Sequence, residues 1–155
     1  MATQNLFQAT PTNGEITGFI FTDLEAYQTE YDHRHALFGT EIYELQAIAG
    51  NQIDLELFAG LPIIQSNLPE WFNEIQHLTN EEKVGLWYLV ACCGFSLITA
   101  LEIIQDGITI FHGTKNAWQK QANFAHSPYC GLEAAGSVQE FRFGGETWCG
   151  SAMAS

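Results

Sequence analysis

Eighteen consecutive residues, Val84 to Leu101 (VGLWYLVACCGFSLITAL), carry no Asp, Glu, Lys or Arg. That run limits the possible folds more than any other feature. A bilayer core needs about 20 apolar residues in one unbroken helix, and here the run is interrupted. Gly94 suits a helix C-terminus, and Ser96 suits the N-cap of the next helix. The reading is two short helices, EEKVGLWYLVACC and LITALEIIQDG, that meet at CGFS and each bury a face against the other. A soluble helical core is expected, with no membrane span.

The rest of the chain is acidic: 18 Asp plus Glu against 5 Lys plus Arg, a formal net charge of -13 over 155 residues. Hydrophobic content of 46% excludes a disordered acidic tail. Such a charge balance repels free nucleic acid and anionic membranes and favours basic surfaces. It is also uneven. Residues 1–60 hold nine acids against Arg34, residues 61–113 hold six against Lys83, and residues 114–155 balance three against three. MATQNLFQAT has neither a positive n-region nor an apolar run, so a cytoplasmic location without a signal peptide is expected.

The fold class expected is α+β. Asn13-Gly14 marks a turn before a β-rich run of Ile16, Phe19, Ile20 and Phe21. Asp23 caps a helix through LEAYQTEYDHRHALF, which Gly39 ends. TEIYELQAIAG and NQIDLELFAG follow as strands; the second alternates Ile53, Leu55 and Leu57 with Asp54 and Glu56. From Asn67 the period becomes helical, with capping boxes at Asn67/Glu70 and Thr79/Glu82 opening PEWFNEIQHL and EEKVGLWYLVACC. Beyond Gly107 come ITIFHG, a helix capped by Thr114 (KNAWQKQANFA), and a hairpin around Gly144-Gly145. The organisation expected is an N-terminal α/β subdomain over 1–60, with a small antiparallel sheet and one helix. A bundle of short helices over 61–107 and a C-terminal α+β subdomain over 108–155 complete it.

Chemistry-bearing constellations are thin. Cys92, Cys93, Cys130 and Cys149 form no CxxC pair and read as reduced thiols. His126, Cys130 and Cys149 make at most a partial zinc site without a fourth ligand. Neither a Cys–His nucleophile nor a phosphate-cradling glycine loop is evident, since FGGETWCG lacks the lysine such a loop needs. The helix–Gly–helix unit at CGFS does not read DNA, because LITALEIIQDG has no basic residue. The expectation is a protein without catalytic residues, metal or cofactor.

Four segments, NGEITGFIFTDL, DLELFAGLPI, WFNEIQHLTNEEKVGLWYLVACCGFSLITALEIIQDG and IFHGTKNAWQKQA, stand in an order that resembles the ArdA family of antirestriction proteins. The likeness covers roughly residues 11 to 125 of the chain. It implies three small subdomains in an elongated, curved molecule that forms a homodimer. It implies as well that surface carboxylates imitate DNA phosphates and occupy the DNA groove of type I restriction-modification enzymes. The chain departs from that pattern in its net-neutral residues 114–155 and in a more apolar helical middle.

The acids that would form such a surface are Asp23, Glu25, Glu30 and Asp32 on the first helix, Asp54 and Glu56 on a strand's polar face, and Glu70, Glu74, Glu81 and Glu82 on the middle helices. Two copies carry about 26 net charges, the equivalent of about 44 Å of duplex at one charge per 1.7 Å. Glu70 and Glu74, four apart, are expected on one helix face, where like charges repel until a basic groove relieves them. The rival expectation is an acidic interaction module, or an anti-CRISPR inhibitor on the same scaffold, that works without mimicry. Asp23, Glu81 and Glu82 fall in first helical turns, where carboxylates favour the helix dipole and need no partner.

Overall fold

The computed structural model describes residues 4–39, 41–107, 110–114, 116–117 and 138–151. The chain divides into two compact units, Met1–Leu78 and Thr79–Ser155.

The first unit is built on a three-stranded antiparallel sheet of order β2-β1-β3, with β1 at Leu6–Pro11, β2 at Phe19–Phe21 and β3 at Tyr43–Ala49. Central β1 alternates strictly: Phe7 and Ala9 are fully buried, while Gln8 and Thr10 turn to the other face. Asn13 makes the turn after it, its Oδ1 accepting from the Glu15 N–H at 3.0 Å and its carbonyl from the Ile16 N–H. Helix α1, Leu24–Phe38, starts where the Asp23 carboxylate accepts the Ala26 N–H at 2.7 Å and stops at Gly39, whose φ is 80°. Helix α2, Gln52–Gly60, and the short helix α3, Leu68–Asn73, close the unit. The core is aromatic: Phe7 meets Phe21, Phe58, Phe72 and Trp71 at centroid distances of 5.2–6.1 Å.

Three expectations fail in this unit. NQIDLELFAG is helix α2, not a strand. Gly50, at φ 134°, reverses the chain directly after β3, and Asn51 caps the helix by accepting the Asp54 N–H at 3.1 Å. Its apolar residues fit both periods, since Ile53 and Leu57 are also four apart. PEWFNEIQHL is likewise not one helix: α3 ends at Asn73, and Ile75–His77 forms a separate 3-10 turn. The Asn67/Glu70 capping box does not form, because the Asn67 side chain accepts from the Ile64 N–H and donates to the Pro62 carbonyl. The helical middle expected over 61–107 is shared out, α3 to the first unit and the later helices to the second.

Several expected elements of the second unit occur among its described residues. Thr79 and Glu82 form a reciprocal capping box, with bonds of 3.1 and 2.9 Å, that opens α4, Asn80–Trp87. Gly94, at φ 79°, breaks the apolar run. Ser96 then caps α5, Leu97–Asp106, by accepting the Thr99 N–H. Helix α5 buries Leu97, Ala100, Leu101 and Ile104, and no helix among the described residues is long and apolar enough to cross a membrane. A second antiparallel sheet of order β4-β6-β5 joins β4, Ile110–His112, to the hairpin of β5, Val138–Phe143, and β6, Glu146–Ser151. Gly144 and Gly145, both at positive φ, make the two-residue hairpin turn. Of the helix expected after Thr114, Ala117 donates its N–H to Thr114 Oγ1; the remainder lies outside the described residues, as do His126 and Cys130.

The CGFS break is preceded by a wide π-helical turn, Tyr88–Cys92, in which the Cys93 N–H reaches back to the Tyr88 carbonyl. Tyr88 is fully buried, stacks on Phe141 at 4.5 Å and donates its hydroxyl to Gln139 Oε1 at 2.8 Å. Its ring packs against Gly150, where a Cβ would come within 2.7 Å of it. Gly150→Ala is therefore expected to cost about 1–3 kcal/mol through overpacking, read as a lower urea midpoint with the m-value unchanged. A neutral result would show that the Tyr88 ring slides freely over β6.

Candidate acidic interaction surface

The ten carboxylates expected to form one surface have different fates. On α1, the buried residue is Tyr27, and Tyr31 and Arg34 are half-buried on the same side. Glu25 and Asp32 stand on the opposite, solvent face, seven residues and about 10 Å apart. Gln28 between them donates to Asp32 Oδ1 at 2.9 Å and orients it. Asp23 is exposed but committed to the helix cap. Glu30 is half-buried and ion-paired with Arg34.

Asp54 leaves the surface altogether. It is 6% exposed, and Asn5 Nδ2 donates to its Oδ2 at 2.7 Å. The same Asn5 accepts the Asn51 N–H through Oδ1 at 2.9 Å and donates to Gln76 Oε1, which also accepts the Trp71 indole N–H. This polar knot ties the start of β1 to α2 and to the 3-10 turn after α3. The Asn5 donor at Oδ2 offsets part of the cost of burying Asp54. The strand reading put Asp54 and Glu56 on one polar face; the helix separates them by 200° and leaves Glu56 alone exposed, held by Gln52 Nε2 at 3.1 Å.

Glu70 and Glu74 do not share a face either. Glu70 is half-buried, with Oε2 enclosed and without a hydrogen-bond partner among the described residues. Glu74 is exposed, past the end of α3, at φ -123° and ψ -59°. Glu81 is exposed on the first turn of α4, and Glu82 is half-buried and spent on its capping box. An acidic pair four apart on one regular helix does exist, but elsewhere: Glu102 and Asp106 on the solvent side of α5. Its signal was present in LITALEIIQD, whose apolar residues fill the other side. Glu44 on β3, exposed beside Gln46, is a further surface carboxylate that sequence reasoning did not single out.

The cations decide the electrostatics. Residues 1–113 contain only Arg34 and Lys83, and both are turned inward. Arg34 pairs with Glu30, donates to the carbonyls of Thr17 and Gly18 at 3.3 and 3.4 Å, and lies 4.7 Å from the centroid of the Phe19 ring. Lys83 is buried. The exposed carboxylates of this stretch therefore meet solvent with no surface cation of the same stretch to offset them.

Desolvation, and after it the neighbouring Cys93 thiol, pushes the Cys92 thiol up from its ordinary value, away from the thiolate. Cys149 is buried with its sulfur 3.3 Å from the Gly113 carbonyl. Among the described residues no cluster of three His, Cys, Asp or Glu could hold a metal ion. Burial likewise raises the Tyr27 and Tyr43 phenols, Tyr27 against a smaller opposing effect of the Gln65 amide at its hydroxyl. Both rings serve as neutral packing elements.

No family model, no curated protein and no solved structure matches this chain.

Proposed function

We propose that the protein performs no chemistry of its own and acts as a cytoplasmic, homodimeric antirestriction protein. Its exposed carboxylates occupy the basic DNA groove of a type I restriction-modification enzyme and exclude the duplex. One observation carries the reading. Fifteen acids in residues 1–113 face only two cations, and both of those are consumed inside the fold. Ordinary acidic proteins intersperse surface cations for solubility and local pairing; here they are withdrawn, which leaves a field of one sign that a basic cleft would attract.

Of the ten carboxylates expected on this surface, those exposed and free of capping duty are Glu25, Asp32, Glu56, Glu74 and Glu81. Their combined isosteric replacement (E25Q, D32N, E56Q, E74Q, E81Q) should leave the circular dichroism spectrum unchanged, because surface substitutions of this kind perturb stability little. Displacement of a labelled duplex from the enzyme, followed by fluorescence anisotropy, should weaken at least tenfold. Equal potency of variant and parent would remove these carboxylates from the mechanism.

A second reading, an acidic interaction module or anti-CRISPR inhibitor without mimicry, draws on exposed apolar residues. Leu37 and Phe38 end α1 more than half exposed, and Ile98 on α5 is 70% exposed. Under that reading Leu37→Ser with Phe38→Ser abolishes binding, and the charge variant binds as the parent does.

A further inference from the structure

Strand β3 lies at the margin of its sheet, with β1 on one side. The Ile42 carbonyl accepts the Thr12 N–H at 3.0 Å, so residue 42 points its backbone toward β1, and Glu44 and Gln46 follow by strand alternation. Tyr43, Leu45 and Ala47 then direct their N–H and C=O groups outward. The Tyr43 N–H is satisfied by Gln65 Oε1 at 3.0 Å; among the described residues the outward groups of Leu45 bond to nothing.

Beside this margin runs a groove of about 570 Å³, with Tyr43, Glu44 and Leu45 on one wall and Ile63, Ile64 and Gln65 on the other. The second wall is braced. Asn67 bonds the Ile64 N–H and the Pro62 carbonyl, and Gln65 bridges the Tyr43 N–H and the Tyr27 hydroxyl. Yet its rim is greasy: Ile42 is 66% exposed and Ile64 58%. A braced apolar slot beside unpaired strand groups is the arrangement that strand addition uses, and natural sheets normally blunt such edges.

We propose that this groove receives an extended, lysine- or arginine-bearing peptide segment of a partner protein, which adds to β3 as a further strand. The guest backbone would bond the N–H and C=O of Leu45. Alternate guest side chains, apolar, would sit against Ile63 and Ile64; those between would face Glu44 and call for cations. Charge selects this occupant over a second copy of the chain. Residues Met1–Leu78 hold eleven acids and Arg34 alone, so two such units meeting here would bring like charges together. The inference does not rest on DNA mimicry, and its test contains neither DNA nor a restriction enzyme.

The probe is a capped heptapeptide of alternating lysine and valine, titrated into the 15N-labelled full chain. The Leu45 amide signal should shift, and its hydrogen exchange should slow at least tenfold on saturation. A peptide N-methylated at alternate amides, and separately the Ile42→Ser, Ile64→Ser double variant with the parent peptide, should each bind at least tenfold more weakly. Undiminished binding of the N-methylated peptide, shifts confined to α1 and α2, or equal binding of a glutamate–valine peptide would each overturn the proposal. So would sedimentation showing that the double variant converts a dimer to a monomer, since the face would then belong to a second copy.

Discussion

Gly50→Ala should unfold much of the first unit's stability, by at least about 3 kcal/mol. Two independent effects add. The backbone at Gly50 has φ 134°, a conformation that L side chains rarely adopt. A Cβ there would also lie 2.7 Å from Asn5 Cα, so the start of β1 itself has to move and not merely a flexible side-chain end. Moving Asn5 breaks its bonds to Asp54, Gln76 and the Asn51 N–H together. Leaving the buried Asp54 carboxylate short of a donor is costly in itself. Urea unfolding followed by fluorescence of Trp71, which is fully buried in this unit, reads the loss. Adding Asn5→Ala to the variant should cost less than the sum of the two single changes, because the knot is already broken. A loss under about 1 kcal/mol would mean that the chain reversal between β3 and α2 is not held by this contact.

Under the proposed function, binding to a type I enzyme should weaken about a hundredfold between 50 and 200 mM salt. A true duplex contacting a protein through six to ten phosphates loses about 10³ to 10⁵ over that interval. Carboxylates on a folded chain condense counter-ions less densely than a duplex, which puts the expected loss below that range. Docking through Leu37, Phe38 or Ile98 would instead change less than about threefold, because apolar burial is not screened. Titration calorimetry of the two proteins at several salt concentrations supplies the slope directly. A flat line would sink mimicry while leaving the strand-addition groove untouched, because that site is tested with a peptide alone.

Features whose cause lies within a few residues were legible in advance. Asp23 capping α1, the Thr79/Glu82 box, the break at Gly94 with Ser96 following, and the Gly144-Gly145 turn all occur as read. Each is a side chain or a glycine acting on backbone groups three or four positions away. Central strand β1 was not read as a strand at all: its inward residues are Phe7 and the small Ala9, and Pro11 closes it. Pro11 is tolerated because it sits opposite Tyr43 in a position that bonds no N–H to β3. Ile48 on β3 and Ile42 just before it stand outside while Tyr43 is buried, an inward face that hydrophobicity alone does not give.

The candidate surface was legible in its sum and only partly in its members. The amino-acid sequence by itself determined the sign and scale of the charge, its concentration before residue 114, the interruption of the apolar run, and the caps that start α1, α4 and α5. These follow from composition and from forces acting over one helical turn. Only the tertiary structure decided that Asp54 turns inward to Asn5, that Glu70 is half-enclosed, and that Arg34 and Lys83 are withdrawn from the surface. The partner of Asp54, Asn5, lies 49 residues away, and the carbonyls that hold Arg34 lie 16 and 17 residues away; no local pattern encodes which distant group will fold against a given charge.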